Sequence, residues 1–212
     1  MKSNMKRGVA FICTAFILLS SGYAQSHRVG AYLTPQYSFF NKKDKVLGSD
    51  ISMKGKGFAF NGGAYYERNW GAYGLSIGLG YAYMGHTFTS PVLGFVGLET
   101  THKMNFVSPS LGGNYELNLT DNLLLNIQAM ANFNFLVSAK GGLKGNEIAM
   151  DLSEEKRFYP SISLGIGCTY LFSDNVGISL LPTFSITMVL DPDKPTYLGV
   201  GAQIRFFYAF GY

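Results

Sequence analysis

From Tyr197 onward the chain reads YLGVGAQIRFFYAFGY and stops. Every even position from Leu198 to Tyr212 is apolar or aromatic: Leu198, Val200, Ala202, Ile204, Phe206, Tyr208, Phe210 and Tyr212. The odd positions are mostly small or polar, including Gly199, Gly201, Gln203, Arg205, Ala209 and Gly211; only Phe207 breaks the rule. Strict period two over this length specifies a β-strand with one apolar face, because successive side chains point to opposite sides of a pleated ribbon.

Seven further segments carry the same alternation: 28–40, 58–67, 73–84, 103–117, 123–138, 158–172 and 176–188. In the third, Tyr73, Leu75, Ile77, Leu79, Tyr81 and Tyr83 alternate with Gly74, Ser76, Gly78, Gly80 and Ala82. A strand crossing a bilayer at a tilt needs about 9–11 residues, and all eight segments reach that length. Connections alternate too. Short polar turns at 68–71, 118–122 and 173–175 face long segments at 41–57, 85–102 and 139–157, with a shorter one at 189–196. Short turns at one end and long loops at the other, with an even strand count, put both termini on the short-turn side.

The second face decides the solvent. It is Gly, Ser, Thr, Asn and Gln with few charges, whereas a water-facing surface carries roughly a quarter or more charged residues. The expectation is an all-β, eight-stranded antiparallel up-and-down transmembrane β-barrel, apolar side outward and small polar side filling the interior. Closure leaves no strand edge unpaired, as a bilayer requires. Outward aromatics then divide into two girdles. Tyr66, Trp70, Tyr73, Tyr115, Tyr170, Phe172, Tyr208, Phe210 and Tyr212 fall at the terminal end. Phe39, Phe58, Phe60, Tyr81, Tyr83, Phe133, Phe135 and Phe158 fall at the other. Pro35, Pro109, Pro160 and Pro182 interrupt this reading, since a barrel has no edge strand to tolerate them; bulges or locally lost ladder bonds are expected there.

The N-terminus reads as an export signal. Lys2, Lys6 and Arg7 precede an apolar stretch from Val9 to Leu19, followed by Ser20, Ser21, Gly22, Tyr23 and Ala24. That stretch is too short to span ~30 Å of hydrocarbon, and the small residues at its end fit cleavage after Ala24. The domains expected are therefore a signal peptide over 1–24 and a barrel over 25–212. Removing the leader takes three of seventeen basic residues and leaves the chain near +1 against thirteen acidic ones. Nucleic-acid binding has no electrostatic support at that charge. Cys168 is then the only cysteine, so no intrachain disulfide forms.

Residues able to do chemistry are sparse. A hydrolytic site would draw on His86 and His102 with Ser90, Ser108 or Ser110, but no spacing links them into a nucleophile–base pair. Three histidines and Cys168 supply no metal-ligand spacing, so neither metal nor cofactor is expected. Asp191 and Asp193 in LDPDKP read as a turn. Gly78/Gly80, Gly165/Gly167 and Gly199/Gly201 open no helix and read as interior glycines in a narrow barrel. By parity Arg28, Glu67, Glu116 and Arg205 point inward as structural charges. Arg28 is expected to pair with Glu67, while Arg205 has no acidic partner at its own level in the strand register. Buried charges require partners. Lys42, Lys43 and Lys45 are the candidate contacts in the long connection 41–57.

GYAQ at Gly22–Gln25, YGLSIGLGYAY at Tyr73–Tyr83, LTDNLLLNIQA at Leu119–Ala129 and the terminal strand carry a resemblance across the whole chain. It resembles the small eight-stranded outer-membrane barrels of Gram-negative bacteria, OmpA-like and OmpX-like, and especially the PorT-like barrels of Bacteroidota, without a periplasmic peptidoglycan-binding domain. The resemblance implies an outer-membrane protein with both termini periplasmic. It further implies lipid and lipopolysaccharide as surroundings and the barrel-assembly machinery as a partner that reads the final aromatic strand. The function expected is non-enzymatic: a structural role in the envelope or interaction through surface loops. A lipid A-modifying enzyme and a narrow small-solute channel are the alternatives.

Overall fold

The computed structural model describes residues 25–46, 49–89, 99–150, 157–188 and 196–211. Residues 1–24, Ser90, Asp191, Asp193 and Tyr212 lie outside them. Nine strands occur among the described residues: β1 (Gln25–Val46), β2 (Ser49–Trp70), β3 (Tyr73–Thr89), β4 (Glu99–Asn118), β5 (Leu123–Leu143), β6 (Asn146–Ala149), β7 (Phe158–Leu171), β8 (Val176–Thr187) and β9 (Tyr197–Phe210). The antiparallel order β4-β3-β2-β1-β9-β8-β7-β5 is closed by pairing of β4 with β5. Eight strands thus form a barrel, and β6 is a short addition on the far end of β5.

The pleat sorts side chains as the alternation requires. On β3, Leu75, Ile77 and Leu79 are exposed while Ser76 is 2% exposed. On β9, Val200, Ile204, Phe206, Tyr208 and Phe210 are exposed while Gln203 and Arg205 are buried. An apolar exterior around a polar interior is the reverse of a water-soluble barrel, and only hydrocarbon solvates such an exterior favourably. Exposed rings gather toward the two ends. Tyr73 packs on Tyr115, Tyr170 on Phe172 and Tyr208 on Phe210 near the termini. Phe60 packs on Phe58, Tyr81 and Tyr83, and Phe158 on Phe133 and Phe135, at the opposite end. His27 joins the terminal set, stacking on Phe210 and bonding the Tyr66 hydroxyl at 2.6 Å.

At the terminal end the turns are tight. Gly71 takes φ 59 between Trp70 and Tyr73, a left-handed conformation that two-residue hairpins need and glycine adopts freely. Asn175 receives the Ala209 N–H at its carbonyl and donates its side-chain amide to the Ala209 carbonyl, tying the β7–β8 turn to the end of β9.

Two expectations about the backbone need correction. The described residues of 41–57 and 85–102 are not loops: β1 and β2 stay paired out to Val46 and Ser49, and β3 and β4 out to Thr89 and Glu99. In 139–157, β5 runs on to Leu143 and folds back as β6. The described residues of these stretches are mostly polar, so they carry little apolar alternation to announce a strand; extension of an existing ladder suffices to form them. The prolines, in turn, produce lost ladder bonds but no bulge. At Pro35 the β1–β9 pairing lapses between Leu33–Ile204 and Gln36–Gly201 with register unchanged, while β1–β2 pairing continues. Pro109 interrupts only β4–β5 and Pro182 only β7–β8. A missing N–H faces one neighbour only, so each proline silences one ladder and spares the other. Pro160 sits near the rim, where its carbonyl accepts the Met188 N–H. The register shift in β4–β5 falls at Asn105/Phe106 instead.

Candidate functional site: the barrel interior

Three zones stack inside the barrel. Nearest the termini lies a charge quartet contributed by four strands. Arg28 (β1) donates to Glu67 (β2) at 3.2 Å and bidentately to Glu116 (β4) at 2.7 and 2.8 Å. Arg205 (β9) donates to the second oxygen of Glu67 at 2.6 Å. The chain Glu116–Arg28–Glu67–Arg205 is neutral, and Glu67 is 0% exposed. Fork-to-carboxylate geometry is the arrangement that best offsets the loss of water around buried charges. Asn69 and Asn126 add donors to Glu67 and Glu116. Asn126 (β5) also donates to Thr169 (β7), whose hydroxyl meets Ser179 (β8) at 2.8 Å. Seven of the eight barrel strands thus feed one hydrogen-bonded band across the interior.

Two aromatic residues complete this zone. Phe207, the exception to the β9 alternation, is 2% exposed and lies under Arg28 at 4.5 Å, while Tyr65 lies under Arg205 at 3.9 Å. Ring faces favour a desolvated guanidinium. Gly177 makes room, since a Cβ there would run into the Phe207 ring. Arg205 finds Glu67 even though its register partner on β1 is Tyr32, with Gly63 beyond on β2. Barrel strands tilt, so register neighbours are staggered along the axis and a long side chain reaches across levels.

The middle zone is uncharged. Ser108 donates to Asn134, which donates to Ser161 and the Tyr159 carbonyl; Gln203 donates to Thr34, and Ser185 to Gln36. The space left is about 50 Å³, bordered by Thr34, Asn61, Gln128, Asn132 and Thr183 among others. Gly80 is among the residues that keep the interior this full, because a Cβ there would strike the Tyr32 hydroxyl.

The third zone, toward the end opposite the termini, is apolar and aromatic. Met104, Phe106, Leu136, Ala139, Tyr159 and Tyr197 form a buried cluster with Phe40, Ala82, Met84 and Met150 against it. His86 is buried here; its Nε2 lies 2.8 Å from the Ser38 hydroxyl and its ring packs on Phe40 and Tyr197. His102 approaches Met150 through Nε2 at 3.2 Å from the sulfur.

Of the serines weighed with these histidines for hydrolysis, Ser90 lies outside the described residues. Ser108 and Ser110 lie six and eight residues along β4 from His102, roughly 20 Å or more at ~3.3 Å per residue. Ser38 is the serine that reaches His86, and only the fold brings it there. Its signal in the sequence is weak, an inward-parity hydroxyl on β1. Among the described residues no group of three His, Cys, Asp or Glu side chains comes together as a metal site. Lys42, Lys43 and Lys45 are on the paired extension of β1; their side chains lie outside the described residues. Lys103 of β4 meets Glu147 of β6 at 3.0 Å, and Lys144 between β5 and β6 meets Glu99 of β4 at 2.5 Å.

No family model matches the chain, and no curated protein matches it. Solved structures do. OprG of Pseudomonas aeruginosa, an outer membrane protein, aligns over 90% of this chain and 98% of its own, at 11% identity and a TM-score of 0.50. Neisserial surface protein A aligns over 83% and 97%, at 12% identity and TM-score 0.43. Ail, the attachment invasion locus protein of Yersinia pestis, aligns over 89% and 99%, at 14% identity and TM-score 0.40. Together with the closed ladder and the apolar exterior, the OprG likeness establishes the fold: this chain is an antiparallel eight-stranded β-barrel of the small outer-membrane type.

Proposed function

We propose that the chain is a non-enzymatic barrel of a Gram-negative outer membrane, made with a leader over 1–24 and inserted as 25–212. In this reading it serves the envelope structurally or through its extended hairpins. Both termini face the periplasm, and the aromatic bands sit at the two lipid–water boundaries. The observation that carries the reading is the hydrogen-bonded band through Glu116, Arg28, Glu67 and Arg205, which obstructs the interior near the termini. Eight strands enclose little more than their own side chains, and the cavity bordered by Thr34, Asn61 and Thr183 holds about 50 Å³. The purified protein in planar bilayers is expected to give no unitary conductance steps. Stable steps from the wild-type chain would replace this reading with a channel.

The hairpins then become the working surface, since scaffolds carry variable function at their connections. Lys42, Lys43 and Lys45 are proposed to meet outer-leaflet phosphates of lipopolysaccharide. Alanine at all three should weaken lipopolysaccharide binding; unchanged binding removes that part of the proposal. The Ser38–His86 contact favours one competitor, an acyl hydrolase acting on lipid A. Such a pair needs an acid to orient its base, and among the described residues none meets His86 Nδ1. Labelled lipid A should therefore stay intact with the wild type as with His86→Ala and His102→Ala.

A further inference from the structure

One patch of the exterior is not explained by closure of the barrel. Across β3, β4, β5 and β7 a single register row reads Leu75, Gly113, Ala129 and Leu164: large, small, small, large. Its outer members, Leu75 and Leu164, are exposed. The next row toward the termini, Tyr73, Tyr115, Ile127 and Ile166, is large throughout. The result is a groove of about 510 Å³ with Gly113 and Ala129 in its floor and Trp70, Tyr73 and Tyr115 at its terminal end. Small-molecule sites span about 300–1,000 Å³.

Gly113 is the informative residue. Glycine inside a strand weakens it and often marks a bulge, a tight bend or a site that a ligand approaches closely. Both ladders of β4 pair without interruption from Ser110 to Tyr115, so no bulge or break falls at Gly113, and it takes no left-handed φ. Crowding does not demand it either. A Cβ at Gly113 would meet only the Gly74 carbonyl oxygen, at 3.7 Å, whereas one at Gly112, on the inward face, would come within 2.8 Å of Met130. The outward positions on either side, Leu111 and Tyr115, carry large side chains. The glycine therefore serves something that approaches from outside the chain.

We propose that this groove seats an acyl chain of a phospholipid with an anionic head group, drawn from the leaflet on the side of the termini. The inference rests on the membrane reading, in which the exterior faces hydrocarbon. An unfilled concavity there forfeits dispersion contacts, and a flexible hydrocarbon chain fills it. A second copy of this protein fits less well. In a two-fold contact the same patch meets itself, so groove would oppose groove. Charge selects the head group. Arg68 on β2 is directly opposed to Leu75, which puts it on the outward face beside the groove, and its guanidinium lies 5.2 Å from the Trp70 ring. The terminal aromatic band sets this arginine at the lipid–water boundary, where its long stem rests on apolar surface and its fork meets phosphate.

The test uses the full mature chain refolded into lipid vesicles. Its sole tryptophan, Trp70, lines the groove and reports on what fills it. Phosphatidylglycerol and phosphatidylcholine, each brominated on the acyl chains, are mixed in turn with unlabelled lipid, and quenching of Trp70 gives their relative affinities. The anionic lipid should be preferred about fivefold, the worth of one arginine at an anionic surface. Gly113→Leu should abolish the preference by filling the floor, and Arg68→Gln by removing the charge. Ala31→Leu, on the outward face of β1 and away from the groove, should retain it. Each variant is first shown to be folded by its heat-modifiable gel shift. Equal quenching by the two lipids in the wild type would overturn the proposal, as would a preference that survives Gly113→Leu. So would cross-linked pairs in lipid-diluted vesicles that disappear in Gly113→Leu, since a second copy would then occupy the groove. Absence of quenching by either lipid would instead refute the lipid-facing exterior, and the proposal with it.

Discussion

At the scale of single residues, Glu67 is the hinge of the interior. It accepts from both arginines and from Asn69 while 0% exposed. Removing one partner of a buried charge pair leaves the other uncompensated, at a cost of about 3–5 kcal/mol. Glu67→Ala should lower stability by that amount in urea titrations followed by Trp70 fluorescence in lipid vesicles. A loss below about 1 kcal/mol, the scale of exposed pairs, would show that the quartet is hydrated. Cys168 offers a native probe of the outer face: it is exposed, on the same parity as Ile166 and Tyr170. A water-soluble maleimide should fail to label it in vesicles and should label it after denaturation. The inward parity of Arg28, Glu67, Glu116 and Arg205 was legible in the sequence, as was the proximity of Arg28 to Glu67 on neighbouring strands. The Arg205–Glu67 contact was not, because register along strands does not reveal height along the axis once the strands tilt. His86 and His102 were visible as isolated residues, but their opposition depends on a pairing register that no local pattern encodes.

At the scale of elements, the ladder lapses at prolines make a directional claim. Pro182 costs β8 its bond to β7 and leaves the β9 side intact. Pro182→Val, an exposed position on a β-branched-friendly strand, should restore a donor toward β7. Stability is then expected to rise by about 1 kcal/mol, the net worth of one hydrogen bond, with the new amide slow to exchange. Destabilisation would mean that the lapse accommodates something other than the missing N–H. The β5–β6 extension makes a different prediction. The hydrogen bond from Lys103, followed by that from Thr101, holds the Glu147 carboxyl below its usual value. A depressed carboxylate contributes stability above its unfolded-state pKa and loses it as pH falls through the folded value. Amide protection over Asn146–Ala149, taken relative to the intrinsic exchange rate at each pH, should therefore fall in acid, below about pH 4, while the barrel strands stay protected. Strand cores were readable because two solvents impose period two on them. Their ends were not: Lys42–Val46 and Ser49–Lys54 extend a ladder in polar sequence, where backbone pairing alone decides.

At the scale of the whole molecule, the fold follows from one physical choice, the assignment of the apolar side of every strand to hydrocarbon. Closure, the polar interior and the placement of charges within it all depend on that choice. Heat-modifiable migration on gels should accompany a closed barrel, with compact and denatured forms resolved. The most direct measurement is a nitroxide scan of positions 74–83 on β3, in a Cys168→Ser background reconstituted into vesicles. Collision with oxygen should peak at Leu75, Ile77, Leu79 and Tyr81 and fall at Ser76, Gly78 and Gly80, with a water-soluble relaxant excluded from the whole stretch. Relaxant access at the odd positions, or oxygen peaks at the even ones, would contradict the account.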